Sequence, residues 1–128
     1  MIVAGVGCKS GVSTESVVEA IEAALAAVGM EPAALAALAT VPEKAREAAI
    51  ADAAHRLDVT LVVADDAALA EAATRCMTDS ARSFAATGTP SAAEAAALAA
   101  AGPQSRLLGP RLVLGPVTCA LAVTGDLP

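Results

Sequence analysis

Ala4-Gly5-Val6-Gly7-Cys8-Lys9-Ser10-Gly11-Val12-Ser13 joins an apolar run to an amphipathic pattern, and its reading decides the fold. Upstream, Met1 to Val6 is short, apolar and rich in β-formers, which predicts a buried strand. Downstream, Ser13 or Thr14 offers a hydroxyl to the first free N–H groups of a helix. The order is strand, tight loop, helix. Such a loop aims backbone N–H groups and the positive end of a helix at one spot beside Lys9, which suits a carboxylate or a phosphate. The spacing is not that of a nucleotide site: Lys9 precedes the last glycine, and Gly5, Gly7 and Gly11 miss G-x-G-x-x-G by one residue. A plain strand-to-helix connection accounts for the same pattern.

Outward from this loop, Val17, Val18, Ile21, Leu25 and Val28 form a helical stripe opposite Glu15, Glu19 and Glu22, and Gly29 ends it. Ala33 to Leu38 reads as a helical turn leading into a small strand around Leu38 to Val41, closed by Pro42. A charged loop with Glu43, Lys44, Arg46 and Glu47 then enters a helix over Ala45 to Leu57. Val59-Thr60-Leu61-Val62-Val63 has the β-branched run of a strand covered on both faces, so it is expected at the centre of the sheet. Asp65 and Asp66 cap a helical segment to about Arg75, and Cys76 to Ala86 has no strong periodicity.

Ser91 and Glu94 have the capping-box spacing ahead of an alanine-rich helix that stops at Gly102-Pro103. Arg106 to Leu108 and Val117 to Val123 read as two final strands, joined through Gly109-Pro110-Arg111 and Gly115-Pro116. The expected fold class is α/β: one domain over residues 1–128, a three-layer α/β/α sandwich on a mostly parallel or mixed sheet.

Composition narrows the partners. A chain of 128 residues can bury a core without disulfides or a structural metal. Its 36 alanines raise mean hydropathy and helix propensity together. The longest uncharged stretch, Leu112 to Gly125, is 14 residues and is interrupted by glycine and proline, too short to span a bilayer. No basic region precedes the first apolar run, so no signal peptide is expected. Cys8, Cys76 and Cys119 form no C-x-x-C pair, which argues for a reducing, cytoplasmic setting and against a zinc site. A net charge of -6 and a single aromatic, Phe84, argue against nucleic acid as partner.

Candidate functional residues cluster at two places. Cys8, near a helix start and next to Lys9, is the candidate nucleophile, although no histidine or acid adjoins it in sequence; a buried structural cysteine is the other reading. Lys44 and Arg46 follow a strand end, where open α/β sheets form their crevices. His55 lies on a charged helix face with no second ligand nearby. Thr87, Gly88, Thr89 and Ser91 cap a helix and also present hydroxyls and N–H groups to an anion. Two such seats suit a ligand with several carboxylates. The candidate binding set is Gly7, Cys8, Lys9, Ser10, Gly11, Lys44, Thr87, Gly88, Thr89 and Ser91, with no metal and no cofactor expected.

Four blocks, Gly5 to Val12, Ala39 to Lys44, Thr87 to Leu98 and Val117 to Ala122, resemble in order and separation the CobE/CbiG C-terminal-domain family of cobalamin biosynthesis. In that family the first block usually reads G-[VI]-G-C-R-[RK]-G, so Lys9 keeps one basic position while Ser10 stands at the second. The resemblance implies a small three-layer α/β domain acting in corrin-ring assembly. Members are free-standing, or form the C-terminal part of a longer protein that opens a lactone on the macrocycle and releases acetaldehyde. This chain, starting at the shared first strand, is expected to be of the free-standing type. The implied partner is a precorrin or related tetrapyrrole, whose carboxylates would meet Lys9, Lys44 and Arg111. A lactone hydrolase using Cys8 or a lysine, and a docking module for other pathway enzymes, are the alternative readings.

Overall fold

The computed structural model describes residues 1–77 and 91–124. Thr87, Gly88, Thr89, Phe84 and most of the aperiodic stretch after Cys76 lie outside the described residues. Six described strands form one mixed sheet: β1 (Ile2–Cys8), β2 (Leu35–Thr40), β3 (Thr60–Val63), β4 (Arg106–Leu107), β5 (Leu112–Leu114) and β6 (Val117–Val123). Four described helices cover it: α1 (Thr14–Ala27), α2 (Ala48–Arg56), α3 (Asp66–Ala73) and α4 (Ala92–Ala101). The strand order is β3-β2-β1-β6-β4, with β5 also paired to β6. The first three strands run parallel, and β6 lies antiparallel to β1 from Ile2↔Val123 to Cys8↔Val117.

Alternation along β1 divides the core into two layers of different texture. Ile2, Ala4 and Val6 face a layer of large side chains, with Val17, Ile21 and Leu25 of α1 and Ile50 of α2. Val3 faces the other layer, built of α3 and α4 and dominated by Ala37, Ala39, Ala93, Ala96, Ala97, Ala120 and Ala122. The expected three-layer α/β/α architecture is therefore present, with a mixed sheet. Helix α4 is buried almost all round, as an apolar helix without a polar face must be.

Small side chains let α4 descend onto the sheet. A methyl group on Gly5 would collide with the Ala93 carbonyl oxygen and lie 2.7 Å from Ala97 N and 2.9 Å from Ala97 Cβ. Glycine is required there by space, not by dihedral angle. The helix is then tied at both ends. Its first turn holds the buried Glu94, whose carboxylate accepts from Met77 N at 2.9 Å and Arg111 N at 2.8 Å. Its last turn is met by Arg75, which donates to the Gly102 carbonyl at 3.4 Å and the Ser105 carbonyl at 2.6 Å while pairing with Glu71.

Several elements depart from the sequence reading. The run at Val59 to Val63 forms an edge strand over Thr60–Val63, not the centre, and Val63 remains exposed. The central strands β1 and β6 carry more small residues, because only those admit the close approach of α4. The turn at Pro32–Ala34 is followed at once by β2 from Leu35, earlier than expected. A second short turn over Pro42–Lys44 delays α2 to Ala48. Leu112–Leu114, within the connection expected between the last two strands, pairs as β5 with Val117–Cys119. Ser91 caps α4 by accepting from Glu94 N at 3.4 Å, but the Glu94 carboxylate reaches the tertiary N–H groups named above.

Gly5→Ala is expected to lower stability by about 1–3 kcal/mol or more, because the obstructing atoms belong to the backbone and Cβ of a packed helix. Gly7→Ala, where an added methyl meets no described atom within 4 Å, should stay within about 0.5 kcal/mol in the same denaturant titration. Burial pushes the Cys119 thiol from its ordinary value of 9.0 up to about 12. A folded pKa above the unfolded one stabilises fully below the unfolded value and is lost as pH rises toward the folded value. Between about pH 8 and about pH 10 this one thiol should cost on the order of 1 kcal/mol of stability. Urea unfolding of Cys119→Ala should show that much less loss over the same interval.

Candidate functional site

The parallel strands set where loops gather. Each of β1, β2 and β3 is followed by a helix that returns along the sheet, so α1, α2 and α3 begin at the carboxyl ends of these strands. Helix α4 runs the same way, since its last residue, Ala101, lies by Thr124 and hence by Met1 at the opposite end. Four helix N-termini thus share one end of the molecule, and their dipoles favour negative charge there.

At that end two loops meet. β1 continues through Gly7 and Cys8, so these residues are strand rather than turn, and the loop proper begins at Lys9. Lys9 N donates to the Pro116 carbonyl at 3.0 Å, which ties the loop to the β5–β6 hairpin. Gly11, at φ +79°, makes the turn, and Ser13 caps α1 by accepting from Ser16 N at 3.1 Å. The loop after β2 is anchored beneath by buried Thr40, which donates to the Val6 carbonyl at 2.9 Å. From it, Lys44 Nζ donates to Ser10 Oγ at 3.4 Å. Positive charge thus stands over position 10, although serine occupies it.

The anion seat predicted at this turn is partly filled from within. Gly11 N donates to Glu47 Oε1 at 3.0 Å, so a carboxylate of the chain itself takes one of the N–H groups. Along the chain Glu47 is only one member of a charged loop, and this role has no local signature because the contact spans 36 residues. Lys9 and Lys44 make no ion pair among the described residues; the two that occur join Arg56 to Glu15 and Arg75 to Glu71. In a chain with 14 acids and 8 bases, two unpaired lysines at one end leave charge available to a ligand.

Cys8 is half-buried, and burial raises its thiol pKa, with Lys44 pulling down and Glu47 pushing up. That is the reverse of the lowered pKa a thiolate nucleophile needs. His55 is exposed on α2. Ser91 is buried and its hydroxyl is engaged as the α4 cap. The structure therefore gathers Gly7, Cys8, Lys9, Ser10, Gly11 and Lys44 at one end, with the first turn of α4 resting on Gly5 just below them. Among the described residues no acidic, histidine or cysteine cluster could hold a metal ion. No described helix is long and apolar enough to cross a membrane.

The arrangement defines an open α/β domain whose loops converge at the carboxyl ends of its parallel strands, the place where such sheets bind ligands. The model of the cobalamin synthesis G C-terminus matches residues 2–122, and this chain belongs to that family. It is 36% identical over 121 residues to Protein CobE of Sinorhizobium sp., spanning 94% of this chain and 79% of that protein. The crystal structure of CobE, a protein from the cobalamin (vitamin B12) biosynthetic pathway, superposes with a TM-score of 0.89 at 33% identity over 95% of this chain and 89% of that one. Cobalamin biosynthesis protein chiG from Agrobacterium tumefaciens gives 0.79 at 44% identity, covering 98% of this chain and 100% of its own. The protein is thus a CobE-like member of the cobalamin pathway.

The two neighbours of Cys8 offer a check on this geometry. Iodoacetamide labelling of Cys8, followed by peptide mass spectrometry near neutral pH, should slow several-fold in Lys44→Ala and quicken in Glu47→Gln. Equal rates in all three proteins would show that neither charge reaches the thiol.

Proposed function

We propose that this protein binds a precorrin or related tetrapyrrole intermediate and passes it between enzymes of the cobalamin pathway. The observation that carries the reading is the contact of Lys44 with Ser10, the chain neighbour of Lys9, with neither lysine in an ion pair among the described residues, at the end where the four described helices begin. Corrin precursors carry acetate and propionate arms around a broad apolar ring. Ammonium groups and loop N–H groups orient such arms through charge-assisted hydrogen bonds. Family membership supports the pathway, and the CobE crystal structure is that of a protein from the same pathway.

Binding is favoured over lactone hydrolysis by the state of Cys8. A half-buried thiol with a raised pKa is protonated near neutral pH and is a poor nucleophile. The binding residues are Gly7, Cys8, Lys9, Ser10, Gly11 and Lys44, with Lys9 and Lys44 carrying the charge.

Absorbance titration with a purified precorrin or hydrogenated corrin acid tests this directly. A saturable spectral shift is expected, and Lys9→Ala combined with Lys44→Ala should weaken it by about tenfold or more. Unchanged affinity would remove both lysines from the site. Acetaldehyde release from a lactone-bearing intermediate would replace the carrier reading with the hydrolase.

A further inference from the structure

A cavity of about 190 Å³ opens between the C-terminal half of α1 and the loop that joins β4 to β5. Ala24, Ala27 and Val28 form one wall, Leu108 and Leu112 the other, and Cys119 of β6 the floor. Arg111 joins this otherwise apolar lining. Its backbone is fixed, because Arg111 N donates to the buried Glu94 carboxylate at 2.8 Å. Arg111 as a residue is half-buried and makes no ion pair among the described residues.

We infer that this cavity is a subsite for a short aliphatic carboxylate, with the alkyl chain between α1 and the loop and the carboxylate on Arg111. Size sets the ligand class. An apolar cavity of about 150 Å³ takes up benzene, so this one holds a group of comparable bulk. A whole macrocycle does not fit, since even drug-sized ligands need about 300–1,000 Å³. Charge sets the head group, because a planar guanidinium binds a carboxylate in bidentate fashion. The ligand is either a free short-chain acid or one carboxyalkyl arm of a larger polyacid. The subsite is distinct from the Lys9 and Lys44 cluster, which lies at the carboxyl ends of β1 and β2, and does not depend on it.

The test is a titration of isotope-labelled protein, followed by amide chemical shifts, with butyrate, with 1-butanol and with coproporphyrin, which carries four propionate arms. Saturable shifts at Val28, Leu108, Arg111 and Leu121 are expected with an acid. Arg111→Gln should weaken them by about tenfold or more. Ala27→Leu, at an exposed helix position on the cavity wall, should abolish them while leaving thermal unfolding unchanged. Shifts with butyrate alone identify a free acid as the source, and shifts with coproporphyrin that Ala27→Leu removes identify an arm. Equal response to 1-butanol, undiminished binding by Arg111→Gln, or no response to either acid would overturn the inference. A failed Lys9 and Lys44 experiment would leave each of these outcomes readable.

Discussion

The fold depends on the closeness of α4 to β1. At Gly5 the helix backbone lies against the strand with no room for a methyl group, and the alanines of α4, β2 and β6 complete the contact. Close-packed interiors tolerate little change of volume, so this layer constrains the rest of the sheet. The opposite layer, with Val17, Ile21, Leu25 and Ile50, supplies the larger apolar side chains. One face sets distance and the other supplies bulk. The strands with the smallest residues therefore lie at the centre, and the β-branched run at Thr60–Val63 is displaced to an edge.

Closeness also determines where polar groups go. With α4 pressed to the sheet, Glu94 in its first turn is fully buried, and its charge must be met by hydrogen bonds. The N–H groups of Met77 and Arg111 provide them, joining the end of α3 and the β4–β5 loop to the same helix. Arg75 performs the converse task at the other end, giving its donors to the Gly102 and Ser105 carbonyls. A helix that is nearly all alanine is thus positioned by one acid and one base, neither of which lies on the sheet.

The position of the candidate binding end follows from the direction of the chain. Three parallel strands send their following helices back from one edge, and α4 joins them, so dipoles, N–H groups and two lysines share that edge. Glu47 occupies the Gly11 N–H group, while Lys9, Lys44 and the exposed Arg46 of these loops make no ion pair among the described residues. Cys8 sits beneath them with a raised pKa. Such a surface suits holding an acid better than attacking one.

The sequence by itself determined the local elements with strong signals. The strand expected over Met1 to Val6, the α1 stripe, the caps at Ser13, Asp65 and Ser91, and the α/β class all follow from periodicity and hydroxyl or carboxylate placement, which act within a few residues. The Lys9 loop and Lys44 were legible as candidates for the same reason, and the four family blocks gave the pathway. Tertiary structure alone decided strand order, the pairing of β5, the contact of Lys44 with Ser10, the filling of the Gly11 N–H group by Glu47, and the reach of Glu94 across to Met77 and Arg111. These depend on how closely two backbones can approach and on which distant polar group a buried charge can reach. Neither quantity has a period or a spacing along the chain.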